Sequence, residues 1–213
     1  MSDSAYFVMP PGGAGPGVLV LHSWWGLTPF FRRLADRIAD EGFTVLVPDL
    51  NLGAVFEVPE LAEQHLADAN PNHLARLVLS SATLIQERSE DPTQRVAVVG
   101  FSMGASLGLW ASVRLPETIS AVVAFYGTQS IDFIGSKASY QLHFADRDSL
   151  VLDEEAAFME ATIGLVDLEV ETHRYPGTQH WFFEEDRDAF EPTAATQAWN
   201  RMLEFLVKRL RSA

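Results

Sequence analysis

Arg95–Leu115 reads RVAVVGFSMGASLGLWASVRL, and this stretch decides the fold. The continuous apolar run Val96–Gly100 suits a strand covered on both faces. It runs directly into Gly100-Phe101-Ser102-Met103-Gly104, and Gly104–Leu115 then reads as a helix. Strand, G-x-S-x-G turn and helix in that order form a nucleophile elbow. The turn must be sharp for the Ser102 hydroxyl to stand clear of a sheet, and the flanking glycines avoid Cβ clashes where backbone crowds. The following helix N-terminus points amide donors at developing negative charge. Gly and Ser at ~7% each would give a bare G-x-S-x-G by chance in roughly one chain of this length in fifteen. The strand before it and the helix after it make that accident rarer.

The flanks continue the alternation. Ala5–Met9 reads as a short edge strand, Pro10–Gly17 (PPGGAGPG) as a turn and Gly17–Leu21 (GVLVL) as a buried strand. Phe30–Asp40 places Phe31, Leu34 and Ile38 on one helical face, and Phe43–Val47 is the next strand. Leu50–Asn70 is the least readable region, with a helix predicted over Pro59–Asp68. Asn72–Glu90 is a predicted helix with Leu74, Leu77, Leu84 and Ile85 at mostly helical spacing. Ala121–Tyr126, Tyr140–Ala145 and Leu168–Tyr175 (LEVETHRY) are strands, and Asp153–Thr162 is a helix. The final helix, Ala189–Leu210, offers Trp199, Met202, Leu203, Phe205, Leu206 and Leu210 to the core.

This pattern predicts a mostly parallel sheet with helices on both faces. With the elbow, it is the α/β-hydrolase fold. The short interval between Tyr126 and Tyr140 leaves little room for a lid domain. No repeat, low-complexity segment or linker-like change of composition interrupts residues 1–213, which are expected to form one domain.

Such folds order the catalytic groups Ser…Asp/Glu…His along the chain. Of six histidines, only His173 and His180 come late enough. His173 lies inside LEVETHRY and reads as an exposed strand residue. His180 ends the loop Pro176-Gly177-Thr178-Gln179-His180, which can carry a ring over the sheet edge, and is the expected general base. His22, His65, His73 and His143 read as structural or surface residues, with a supporting role beside the oxyanion loop as the alternative for His22. The acid should follow the strand ending near Ala145, where Asp146 and Asp148 both stand; position alone splits them nearly evenly.

Bulk properties narrow the chemistry. A net charge of −14 disfavours nucleic acid or an anionic membrane as partner. The absence of cysteine excludes disulfides, thiolate zinc sites and a thiol nucleophile. No H-E-x-x-H or clustered His/carboxylate spacing marks a metal, and no cofactor is expected. No apolar stretch approaches the ~20 residues of a membrane span. The N-terminus lacks the positive start and apolar run of a signal peptide, so a cytoplasmic location is expected.

The chain resembles the dienelactone hydrolase family over nearly its whole length. The resemblance rests on Val18–Leu27 (VLVLHSWWGL), Val47-Pro48-Asp49-Leu50, the elbow, Ala124-Phe125-Tyr126-Gly127, Phe144–Val151 (FADRDSLV) and Tyr175–Phe182 (YPGTQHWF). It implies a compact, lidless fold, Asp148 as the acid, and the backbone N–H groups of Trp24 and Met103 as oxyanion donors. Two departures stand out. The founding enzymes use cysteine where this chain has Ser102, and carry a glutamate where it has Ser23. They also hold a substrate carboxylate with arginine, whereas no Lys or Arg occurs between Arg37 and Arg76.

The sequence therefore predicts hydrolysis of a small carboxylic ester or lactone through an acyl-serine, with a neutral substrate preferred. Trp24, Trp25 and Trp181, together with Tyr126, are candidate pocket residues. Arg32 and Arg33 read as a solvated helix face, with the alternative that, beginning the helix after the oxyanion loop, they reach inward toward a substrate anion. Thioester cleavage or acyl transfer by the same residues is the alternative chemistry, and a non-catalytic binding domain on the same fold is the alternative class.

Overall fold

The computed structural model describes residues 5–211. In chain order these form β1 (Ala5–Val8), β2 (Gly17–Leu21), α1 (Pro29–Asp40), β3 (Thr44–Pro48), α2 (Pro59–Asp68), α3 (Pro71–Arg88), β4 (Val96–Phe101), α4 (Met103–Arg114), β5 (Ile119–Phe125), β6 (Ser139–Arg147), α5 (Asp153–Leu165), β7 (Val170–Gln179) and α6 (Pro192–Leu210). The seven strands make one sheet in the order β1-β3-β2-β4-β5-β6-β7. Only β1 runs antiparallel to its neighbour.

Every residue of β2, β3 and β4 is buried, as their unbroken apolar runs require. Alternate side chains serve opposite faces. Val18, Val20, Val45, Val47, Val99 and Phe101 pack with Phe31, Leu34 and Ile38 of α1 and Met202, Phe205 and Leu206 of α6. Leu19, Leu21, Leu46, Val98 and Val122 pack with α3, α4 and α5 on the other face. Proline begins α1, α2, α3 and α6. Its fixed φ suits the first helical turn, where its missing N–H costs nothing. The Asn70 side chain caps α3 by accepting from Asn72 N and His73 N at 3.0 and 3.2 Å.

Three expectations need correction. Leu84 is 42% exposed; the buried stripe of α3 is Leu74, Val78, Ala82 and Ile85. His173 is half-buried, its ring 5.3 Å from that of the buried His143, because the face of β7 it occupies is covered. The last strand also continues to Gln179 through Pro176 and Gly177, which read as a loop. A shift of register, Ala145 pairing with Tyr175 but Arg147 with Gln179, absorbs the proline that cannot donate.

The topology positions the site. β2 hands over to α1 on one face and β4 to α4 on the other. The chain segments leaving these paired strands therefore part, opening a crevice at their C-terminal ends.

Candidate active site

Ser102 follows β4 at φ 51° and ψ −114°, a strained conformation for a residue with a side chain. The surroundings enforce it. A Cβ at Gly104 would collide with the carbonyl oxygens of Leu21 and His22, and one at Gly100 with the first turn of α4. The Ser102 N–H donates to Phe125 O at 2.9 Å, tying the elbow to β5. Strain recurs around it: Leu52, Tyr126 and Trp181 also have positive φ, at 56°, 38° and 64°.

His180 and Asp148 come from the two strands farthest along the sheet. His180 Nε2 lies 2.9 Å from Ser102 Oγ, and His180 Nδ1 lies 2.9 and 2.8 Å from Asp148 Oδ1 and Oδ2. Both side chains are only 4% exposed. Asp148 Oδ1 also accepts from Leu150 N and Val151 N at 2.9 and 3.0 Å, so the carboxylate is fixed before it meets the ring. The carboxylate favours a proton on Nδ1, leaving the Nε2 lone pair toward the hydroxyl. Asp146 is elsewhere: its Oδ2 accepts from Gly177 N at 3.0 Å and secures the irregular end of β7. His143 is buried beneath the sheet's end between Tyr175 and Gln141, and burial holds it well below the ordinary histidine value.

The loop after β2 is held from two directions. Leu50 N donates to His22 Nε2 at 2.9 Å, which puts the His22 proton on Nδ1, where it donates to Ser23 O at 2.7 Å. Asn51 Nδ2 donates to Trp24 O at 2.8 Å and Phe56 N to Trp25 O at 2.9 Å. The carbonyls of Trp24 and Trp25 are thereby turned toward the segment after β3, while Ser23 O accepts within its own loop, from His22 Nδ1 and Gly26 N. Among the described residues the Trp24 N–H makes no hydrogen bond. Met103 opens α4, so its N–H lies among the first-turn donors without an acceptor inside the helix.

From the other side, Ser23 Oγ donates to Glu184 Oε2 at 2.8 Å, and Tyr126 Oη donates to Glu184 Oε1 at 2.8 Å. Sequence reasoning missed Glu184. It stands first in the run Glu184-Glu185-Asp186-Arg187-Asp188, which looks like a solvated surface, yet it is fully buried. The signal was the pair Phe182-Phe183 just before it, which carries the loop inward. Burial pushes the Glu184 carboxyl up to about 8, against the opposing pull of the two hydroxyls. Thus a carboxyl does meet Ser23, supplied by the segment that follows His180, 161 residues along the chain. Tyr126 is likewise not the open pocket residue expected. It is fully buried, its ring 4.9 Å from that of His180, and its hydroxyl is taken by Glu184.

A cleft of about 840 Å³ opens over His180, lined on one side by Trp25, Thr28, Val55 and Trp181. The rings of Trp24, Trp25 and Trp181 meet at 5.1–5.6 Å, and Trp181 packs edge-on against His180 at 4.7 Å. The indole N–H groups of all three are buried without a partner. Cations reach the cleft from elements outside the Arg-free interval: Arg33, Arg147 and Arg187 line it, beside Glu57, Asp186 and Asp188. Arg33 is bound to Glu185, and Arg187 pairs with Asp186 while stacking over Trp25 at 4.5 Å. Arg32 instead lies 5.3 Å from the Tyr6 ring, away from the cleft. Among the described residues no group of three or more His, Asp or Glu could hold a metal, and no helix is long and apolar enough to cross a membrane.

A family model for the dienelactone hydrolase family matches residues 4–210. The chain is 29% identical to Protein usf of Aquifex pyrophilus, over 96% of this chain and 93% of that one. It is 26% identical to carboxymethylenebutenolidase 1 of Cupriavidus pinatubonensis, over 95% and 90%. A crystal structure of a dienelactone hydrolase-like promiscuous phosphotriesterase from metagenomic libraries superposes with a TM-score of 0.84. It is 20% identical, covering 96% of this chain and 92% of that one. Its likeness speaks for the fold.

Proposed function

Because the chain belongs to the dienelactone hydrolase family, we propose that it hydrolyses a small, neutral carboxylic ester or lactone through an acyl-enzyme on Ser102. The observation that carries this reading is the unbroken relay from Ser102 Oγ to His180 Nε2, and from His180 Nδ1 to Asp148.

His180 Nε2 removes the hydroxyl proton as Ser102 Oγ attacks the carbonyl carbon. The Asp148 carboxylate offsets the charge of the imidazolium that results. The carbonyl electrons move onto oxygen, which the N–H groups of Trp24 and Met103 receive; removing one such donor costs ~10²–10³ in rate. The C–O bond to the leaving alcohol breaks as His180 returns the proton to that oxygen. A water deprotonated by His180 then attacks the acyl carbon, and as the bond to Ser102 Oγ breaks His180 returns that proton to the serine, releasing the acid. In a lactone, leaving group and acyl group are one molecule and leave together as a hydroxy acid.

The cleft favours an uncharged substrate. Two of its three arginines are already paired, and three carboxylates share the wall. A substrate carboxylate would find little surplus positive charge to offset its desolvation, which costs several kcal/mol.

The test is fluorophosphonate labelling together with turnover of a panel of p-nitrophenyl esters, lactones and thioesters. The wild type should label at Ser102 and turn over short esters or lactones. Ser102→Ala should lose both while keeping its fold. Near-normal turnover by Ser102→Ala would overturn the serine mechanism.

A further inference from the structure

Among the described residues Glu184 is the one fully buried carboxyl beside the candidate site that the proposed reaction does not use. It bridges two elements that the chemistry needs. Ser23, one residue before the Trp24 N–H, belongs to the loop after β2; Tyr126 ends β5 and packs on the His180 ring. We propose that Glu184 is a positioning residue, which pins the Trp24 loop through Ser23 and the wall behind His180 through Tyr126. This inference rests on the hydrolytic reading of Ser102.

Geometry makes the bridge specific. Three anchors already hold the loop from the side of β3, through His22, Asn51 and Phe56. All act on carbonyls or on the start of the loop. Glu184 is the hydrogen-bond partner that reaches the loop from the segment after β7, where the packing of Trp24 on Trp181 supplies no directional bond. Tyr126 is itself strained at φ 38°. Its hydroxyl contact with Glu184 helps to hold that backbone in place.

The charge environment makes the neutral form the working one. Glu184 faces Ser23 from the oxyanion loop and Tyr126 from the end of β5, with Asp186 and Arg187 on its own loop and Asp148 and His180 beyond Tyr126. Asp186 opposes its ionisation and Arg187 assists it, but Arg187 is engaged with Asp186. Burial dominates, and the carboxyl keeps its proton up to about pH 8. With that proton on, one contact reverses and the acid donates to a hydroxyl that can equally accept. Losing the proton places a buried negative charge behind the loop just where the reaction develops an oxyanion, which like charge opposes.

The experiment measures the second-order rate of fluorophosphonate labelling from pH 5.5 to 9.5, with Ser102→Ala as the blank. This readout needs an oxyanion site but no knowledge of the natural substrate. In the wild type the rate should fall at least fivefold between pH 8 and 9.5. Glu184→Gln can keep both contacts in a form that cannot ionise; it should lose that alkaline fall. Ser23→Ala cuts only the link to the loop and should lower the rate about tenfold at pH 7, whether or not the larger cavity of Glu184→Ala is tolerated. An alkaline fall that persists unchanged in Glu184→Gln, or a Ser23→Ala rate within twofold of wild type, would overturn the inference. A wild type that never labels at Ser102 would instead overturn the hydrolytic reading, and the positioning role would fall with it.

Discussion

Replacing Asp148 by Asn makes the strictest demand on the relay, because the structure dictates which way the amide must face. Asp148 Oδ1 accepts two backbone N–H groups, from Leu150 and Val151. An asparagine keeps those bonds only by leaving its oxygen there, so its NH₂ replaces Oδ2, 2.8 Å from His180 Nδ1. Two donors cannot face each other at that distance. Oδ1, 2.9 Å from Nδ1, is already claimed by the two backbone donors, so the NH₂ favours an acceptor at Nδ1 and shifts the ring proton to Nε2, where it confronts Ser102 Oγ at 2.9 Å with no lone pair to receive the hydroxyl proton. Loss of tautomer and countercharge together should lower kcat about 10³–10⁴-fold, or about 4–5.5 kcal/mol of barrier. The backbone bonds survive, so the melting temperature should change little. Asp146→Asn is the matched control. Its oxygen can still accept from Gly177 N, and kcat should stay within about threefold of wild type. Steady-state ester hydrolysis with thermal melts on both variants is the assay. Asp148→Asn within tenfold of wild type, or Asp146→Asn the more damaging, would refute the reasoning.

Other outcomes follow from the same coordinates. Gly104→Ala, whose methyl has no room beside the Leu21 carbonyl, should lower the melting temperature and abolish labelling of Ser102; a fully active variant would show that the elbow can spread. Glu184 releases its proton near pH 8 in the fold against about 4.5 ordinarily. Its contribution to stability is therefore full below about pH 4.5, is lost progressively up to about 8 as the unfolded chain alone ionises, and is level above that. Thermal melts of Glu184→Gln and wild type should diverge in the variant's favour across that window, and parallel curves would contradict the burial argument. A neutral lactone should show a higher kcat/KM than its carboxylated analogue. If the carboxylate wins, and Arg147→Ala abolishes the advantage, Arg147 is its anchor.

The parts of the molecule governed by local pattern were legible in the sequence. The buried strands declared themselves by unbroken apolar runs, and Ser102 by a turn whose glycines have one steric purpose. The order of catalytic groups pointed to His180. Asp148 was separable from Asp146 only by resemblance, since two residues apart in an irregular segment both can reach a ring; what distinguishes them is which backbone N–H groups claim each carboxylate. For Glu184 the local signal, Phe182-Phe183, speaks of burial alone; its partners Ser23 and Tyr126, at separations of 161 and 58 residues, lay beyond local reading. The same holds for the cleft's charge. A cation-free interval along the chain says nothing about Arg147 and Arg187, which arrive from other strands' ends. Pro176 and Gly177 misled in the opposite direction, because a ladder that shifts register can carry a proline that a regular one would reject.

The positive-φ residues that follow the C-terminal ends of β3, β4, β5 and β7 have an evolutionary side. Leu52, Ser102, Tyr126 and Trp181 each occupy backbone conformations that glycine enters freely, at about 1–3 kcal/mol less strain. A laboratory selection for heat resistance alone would find these positions rewarding. It would then trade away the hydroxyl, the phenol and the indole that surround His180. Selection that alternates heat challenge with turnover would instead be driven outward, to helix surfaces such as that of α3, where Leu84 is exposed and stability can be improved without touching the crevice.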